Sequence, residues 1–417
     1  MKKMIAVVLA ALCAASVFAA PRKLVVWSFT DEMGKMIEYY KKANPEVQIE
    51  FVLVPNDVYQ SKLKPVLQSG QGTPDVFTLE AAYVKGYVES GFMADLKSLS
   101  KSAANTMQYT KDVVTDEKGV LRALSWQGTP GAYFYRRSIA KKYLGTDDPV
   151  KIQAMLNTPE KFVELGKTLK AKSNGQAVLI SSLGDLFQVY KSGRKDGWVK
   201  GKRFIVDPLM VKLLEQAKSF RDLGIDGRQQ QWAEGWFAGM KGQLKDESGK
   251  PVEVFGYLLP TWGLHYVLKP NAPDTSGDWA MVQGPIPYFW GGTWVAAYDK
   301  SPNKAEALKF VEFMGTNEKF LEEWAKDTGD LVSNTKVVDK IKGSYSEAFL
   351  GGQNHYAAFA EMAKSINAKI LTGYDQDVET IFQEQMENYI TGKKSLEAAI
   401  ADFKAAVKNQ YPDLTVR

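Results

Sequence analysis

The chain has 417 residues, with 53 Lys and Arg against 48 Asp and Glu, two histidines and one cysteine. The near-balanced charge does not suggest nucleic-acid binding, which demands a concentrated basic face. So few His and Cys leave almost no raw material for a Ser–His–Asp arrangement, a thiolate nucleophile, or a His- or Cys-based metal site. A chain this long can bury a core without disulfides, and its length suggests about two to three domains.

At the N-terminus, Lys2 and Lys3 precede an apolar run from Met4 to Phe18, and Val17-Phe18-Ala19 places small or apolar residues where a signal peptidase reads. Residues 1–19 are therefore predicted to be a secretory signal peptide. The run falls short of the roughly 20 residues that a permanent span needs. Cys13 opens an alternative lipid-anchored form, but Leu12 stands where a lipoprotein signal wants a small residue, so cleavage after Ala19 is preferred. The mature chain is then cysteine-free and exported to the periplasm. Setting aside Lys2 and Lys3 lowers its formal charge from +5 to +3.

Next, Leu24 to Trp27 reads as a continuous apolar strand, as in sheets covered on both faces. Thr30 or Asp31 can cap a helix with the apolar stripe Met33, Met36/Ile37 and Tyr40. A second strand runs from Val47 to Val54 and a helix from about Asp57 to Gly70, with Pro65 inside it. The turn "SGQGTPD" leads to a short strand, Val76 to Leu79, and a helix predicted over Glu80–Gly91. This alternation argues for an α/β lobe with a mainly parallel sheet. Farther on, helices are predicted near 159–172, 208–223 and 232–240, and strands near 119–125, 132–136, 177–181, 252–258 and 279–282. Thr293 to Tyr298 reads as a buried strand that includes Trp294, "SPNKAEALKFVEFM" as a helix, and the chain beyond about 345 as nearly all helix.

Several motifs carry no chemistry. "SGQGTPD" lacks the third glycine of a dinucleotide fingerprint, and "DTGD" (327–330) and "YDQD" (374–377) lack the ligand count of a calcium loop. They read as a loop and a helix cap. His265 reads as a packed or hydrogen-bonded residue, and Lys191–Lys202 as a solvated basic surface. What remains is a set of aromatics paired with acids at strand ends and in loops: Trp27 with Asp31, Glu80 with Tyr83, Trp126 with Gln127, Asp185 with Phe187, Trp232 with Trp236, then Trp262, Trp290 and Asp330. Such pairs suit a sugar, whose C–H face stacks on a ring while its hydroxyls need partners that survive desolvation. Strand ends are also where open α/β sheets bind ligands. In "YFWGGTWVAAY" (288–298), Trp290 sits beside Gly291 and Gly292, where missing side chains permit rotation and close backbone approach.

The order of "VVWSF", "SGQGTPDVFTLEAAYVKGYVESGFMADL", "YFYRRSIAKKYLG" and "GGTWVAAYDKSPNKAEALKFVEFM" resembles the extracytoplasmic solute-binding proteins of ABC importers, in particular the carbohydrate-binding group that includes maltose-binding protein. The resemblance spans essentially the whole mature chain. It implies an α/β periplasmic binding protein fold (type II), with discontinuous lobes at 20–128 with 292–332 and 129–291 with 333–417. Three hinge crossings would fall near Ser125–Gly131, Pro285–Gly292 and Asp330–Lys336. It further implies a carbohydrate ligand trapped by hinge closure, an ABC permease with its ATPase as partner, a monomer, and neither cofactor nor catalysis. By position, Trp27 to Asp31 would enter the cleft, Leu79 and Glu80 would line one wall, Asp185 to Phe187 would supply an acid and an aromatic from the other lobe, and Trp262 would be its stacking ring. The chain departs from the maltose-type pattern in having no tryptophan after Trp324 and only Asp57 in "VPNDVY". Two other readings stay open: the same fold holding a non-sugar solute such as a glycerol phosphodiester or a metal, for which Arg136 and Arg137 are the nearest basic pair, and a secreted glycoside-acting enzyme, which needs two carboxyl groups across one bond.

Overall fold

The computed structural model describes residues 23–416, so the predicted signal peptide and Cys13 lie outside the described residues. Eleven strands are, in chain order, β1 (Lys23–Ser28), β2 (Gln48–Leu53), β3 (Val76–Glu80), β4 (Leu124–Ser125), β5 (Gly131–Arg136), β6 (Ala177–Ile180), β7 (Val199–Lys200), β8 (Arg203–Phe204), β9 (Glu253–Pro260), β10 (Trp279–Val282) and β11 (Thr293–Ala297). They form a five-stranded sheet in the order β2-β1-β3-β11-β4, a four-stranded sheet in the order β10-β5-β9-β6, and the small β7-β8 ribbon.

In the first sheet β1 pairs in parallel with both β2 and β3, as expected of strands linked by helical crossovers. β11 then inserts antiparallel between β3 and β4, opposing Thr293 to Glu80 and Trp294 to Ser125. It is buried along its whole length, so "TWVAA" has the uninterrupted apolarity of a strand covered on both faces. The second sheet shows the period of two directly. In β5, Ala132 and Phe134 join one hydrophobic cluster while Tyr133 and Tyr135 join the other. β10 repeats this with Trp279 and Met281 on one face, Ala280 and Val282 on the other.

The chain passes between the sheets after β4 and again between β10 and β11, and residues 330–334 run alongside the first passage. The three segments are stitched together. Gly131 N donates to Tyr288 O at 2.8 Å and Thr129 Oγ1 to Gly291 O at 3.0 Å. Gly128 N donates to Leu331 O at 2.7 Å and Ser333 N to Trp126 O at 2.8 Å. The result is two α/β lobes around a hinge of three adjacent strands of chain.

The helices follow their capping chemistry. Thr158 and Asp207 cap Pro159–Lys172 and Pro208–Leu223 with their side chains, each followed by proline in the first turn. Two expectations fail. The predicted helix Glu80–Gly91 shrinks to Val84–Val88, because Glu80 ends β3 and turns its carboxylate onto the Ala82 N–H at 2.7 Å. The predicted strand 119–125 shrinks to β4, because Asp116 takes the Val120 N–H and the Arg122 guanidinium and holds the preceding residues in a turn.

Candidate functional site

A cavity of about 250 Å³ lies between the lobes. One wall is the end of β3, Glu80–Ala82. The opposite wall is built from helix Leu183–Ser192 and helix Asp375–Ile390, and the back is the crossing Phe289–Gly291. Of the residues singled out from sequence, Glu80, Phe187, Trp290 and Gly291 line it together.

Trp290 is half-buried and packs against both hydrophobic clusters. Its indole meets Trp262 edge-on at 5.3 Å and Trp232 at 5.9 Å, while Trp232 and Trp262 stack nearly parallel at 6.1 Å. The three rings therefore form one platform. It is held from below by the Trp262 indole N–H, which donates to Trp290 O at 2.9 Å. Gly291 makes this contact possible. Its φ of +71° is left-handed, and a Cβ there would lie 3.0 Å from Trp262 Nε1. Gly292 is left-handed as well and its carbonyl accepts the Ala81 N–H at 3.1 Å, which ties the crossing to the β3 wall.

Trp232 is 47 % exposed and itself left-handed, with φ +72°. That conformation costs a bulky residue about 1–2 kcal/mol. The strain is imposed by the neighbours. Gln231 Nε2 and the buried Trp236 Nε1 both donate to Asp185, at 2.7 and 3.2 Å. Asp185 is fully buried, so this acid does not face the cavity; it fixes the loop that presents Trp232. Burial pushes its carboxyl up to about 7, opposed by those two hydrogen bonds.

The polar floor of the cavity comes from residues that the sequence reading assigned to a basic surface (Lys191, Arg194) or a helix cap (Asp375), or did not single out (Glu379). Lys191 Nζ pairs with Glu379 at 2.9 Å, and Arg194 with Asp375 at 3.2 Å and Glu379 at 3.8 Å. Arg194 is 2 % exposed and lies over the Trp198 ring. The basic run beginning at Lys191 is thus, at its start, part of an interior charge network, not a solvated surface. Its signal was available. Asp375, Glu379 and Gln383 recur every four residues and so share one face of a helix, and Lys191 and Arg194 are three apart. Gln188 Oε1 and Arg194 Nη1 are buried without a partner in the same lining. Burial raises the Asp375 carboxyl to about 6, with Arg194 opposing, and raises Glu80 against the N–H of Ala82 and the charge of Lys191.

Other predicted residues stand apart from the cavity. Trp126 is fully buried and offers no ring face to a ligand; its indole N–H points towards Asp330 without closing a normal hydrogen bond. Asp330 is also fully buried, in the third crossing, with both carboxylate oxygens unpartnered. Burial, then the negative charge of Glu32, hold it well above the usual carboxylate range. Glu32, not the exposed Asp31, is the acid turned inward at this end of the first lobe: it accepts the Thr30 hydroxyl, its Oε1 is buried without a partner, and burial raises its carboxyl. Trp27 is half-buried at the end of β1, and Tyr83 is buried against Tyr87. Arg136 and Arg137 are engaged with Asp278 and Asp147, so neither is a free anion receptor.

Two lobes, three crossings and a cavity between the lobes are the architecture of the two-lobed solute-binding proteins. A profile of the bacterial extracellular solute-binding protein family matches residues 35–351, and the chain belongs to that family. Solved structures agree on the fold. One described as an extracellular solute-binding protein family 1 superposes with TM-score 0.82 at 17 % identity, covering 92 % of this chain and 98 % of that one. The ABC transporter associated binding protein of B. animalis subsp. lactis, solved with β-1,6-galactobiose, gives 0.70 at 19 % identity, covering 93 % and 97 %. The galacto-N-biose/lacto-N-biose I-binding protein of Bifidobacterium longum gives 0.73 at 16 %, covering 96 % and 100 %. No helix among the described residues is long and apolar enough to cross a membrane.

Proposed function

We propose that this chain is the substrate-binding component of an ABC importer, that it traps a small saccharide between its lobes, and that it hands the sugar to a membrane permease. The observation that carries the reading is Trp290, backed by the Trp262 and Trp232 rings, in the lining of a cavity whose polar floor has its charges internally paired. Stacked rings suit a sugar's C–H face, and Gln188 Oε1 and Arg194 Nη1 leave one acceptor and one donor for hydroxyls. The ion pairs of Lys191, Arg194, Asp375 and Glu379 favour an uncharged solute over a phosphodiester, and they leave those two acids engaged and unsuited to acid–base chemistry on a glycosidic bond. The cavity of about 250 Å³ lies just under the range of small-molecule pockets, which favours a short saccharide. We take the lobes as 20–128 with 292–332 and 129–291 with 333–417, the protein acting as an exported monomer without a cofactor.

The platform and the Glu80 wall belong to different lobes, so a sugar touching both binds the closed state better and drives closure. The test is a thermal-shift and calorimetric panel of mono- and disaccharides, amino acids and glycerol phosphodiesters. At 100 times its Kd, a true ligand adds about 2.7 kcal/mol of stability. Silence across every sugar, with a response to an amino acid or phosphodiester, overturns the reading.

A further inference from the structure

The two histidines of the chain come from segments 90 residues apart, and the fold sets their Nε2 atoms 3.2 Å from each other. His265 sits in the wide helical turn Gly263–Leu268 that follows Trp262, and His355 begins the helix His355–Met362. A carboxylate oxygen of Glu347 joins them, and all three ligand atoms lie within 4.8 Å of one another. His355 is 1 % exposed, boxed by Tyr345, Tyr356 and Phe359, and its Nδ1 has no partner. Two imidazole nitrogens and a carboxylate oxygen thus gather in one place, and without an ion the two Nε2 atoms share one proton in an N–H···N hydrogen bond that an incoming cation would displace. The counter-charge on hand is Lys269, whose ammonium reaches Glu347 Oε2 at 3.0 Å.

We propose that His265, His355 and Glu347 form a binding site for a divalent transition-metal ion of the Zn2+ type, with the fourth position open to water. Two histidines on a tetrahedral Zn2+, each bonded at about 2.0–2.1 Å, stand about 3.3 Å apart, which is the spacing seen here to within 0.1–0.2 Å, roughly. The carboxylate is already oriented, since Glu347 Oε1 accepts the Phe349 N–H at 3.0 Å. Lys269 competes for Glu347, but its side chain is 36 % exposed and can turn into solvent as the ion enters.

The site also abuts the hinge. Gly329 closes helix Glu318–Thr328 and leads into the third crossing, and a Cβ on it would lie 2.4 Å from His265 Cε1. Metal binding here braces the second lobe against the segment that carries Asp330, without using any group of the sugar cavity.

The test is calorimetric titration of the metal-stripped, purified protein with Zn2+ alone, repeated with Co2+ to read the visible d–d bands of a tetrahedral ion. We expect one equivalent bound. His265→Ala and His355→Ala each weaken it by at least about 100-fold, Glu347→Gln by about tenfold, and Lys269→Met tightens it. Circular dichroism confirms that each variant folds, and His265→Asn replaces His265→Ala if the latter does not. Absence of stoichiometric binding by the wild type, or undiminished binding by the folded His265 variant, overturns the proposal.

Discussion

Replacing Trp290 by alanine separates a ligand platform from a structural ring. In the free protein the indole makes two edge-on contacts, with Trp262 and Trp232, each worth about 0.5–1.5 kcal/mol, so truncation costs about 1–3 kcal/mol of stability. The hydrogen bond from Trp262 survives, because its acceptor is the Trp290 carbonyl. A saccharide covering the exposed part of the ring removes on the order of 80 Å² of apolar surface, about 2 kcal/mol at 25 cal/mol per Å². That corresponds to about a 30-fold rise in Kd. The assay is calorimetry with whichever sugar the panel identifies, beside a urea melt of the same preparation. Trp290→Phe keeps an aromatic face and is expected to stay within about fivefold of wild type. An affinity unchanged within twofold, roughly, in an alanine variant that has lost 1–3 kcal/mol of stability refutes the platform argument.

Three further perturbations test the parts around that ring. Gly291→Ala puts a Cβ 3.0 Å from Trp262 Nε1 at φ +71° and is expected to cost about 1–2 kcal/mol, read as a lower urea midpoint and weaker sugar binding. Because the folded carboxyl of Asp185 is raised to about 7, the native state holds a proton that the unfolded chain releases near pH 3.9. Its contribution to stability is therefore greatest below about pH 4 and falls as pH rises to about 7, by at most about 4 kcal/mol. Asp185→Asn is expected to flatten that part of the stability–pH curve. Asp330→Asn replaces a buried, unpartnered carboxyl that is raised above its ordinary range with a neutral isostere, and is expected to raise the melting temperature, increasingly so towards pH 8.

The fold was legible because its signals are local and periodic. Helices Pro159–Lys172 and Pro208–Leu223 match their predicted limits, since each has a capping residue, a proline in its first turn and an apolar stripe. β11 was legible from an unbroken apolar run. The predicted helix after β3 was too long because Glu80 satisfies a turn with its own side chain, a competition that apolar spacing does not register.

Of the candidate site, the sequence singled out two of the lining rings, Phe187 and Trp290, and missed the charged floor, for a physical reason. A tryptophan next to a glycine pair is anomalous in the sequence itself, since loops seldom spend apolar surface on solvent. A lysine or an aspartate is ordinary anywhere, and its meaning depends on what faces it across the fold. Lys191 and Glu379 are 188 residues apart, as Arg194 is 181 from Asp375. Asp185 shows the converse. Its sequence neighbourhood suggested a ligand contact, yet burial with Gln231 and Trp236 makes it the support of Trp232 instead. An acid placed under a strained, half-exposed tryptophan transmits its effect through that ring's position. Loss of Asp185 should therefore alter sugar binding only as far as it displaces Trp232.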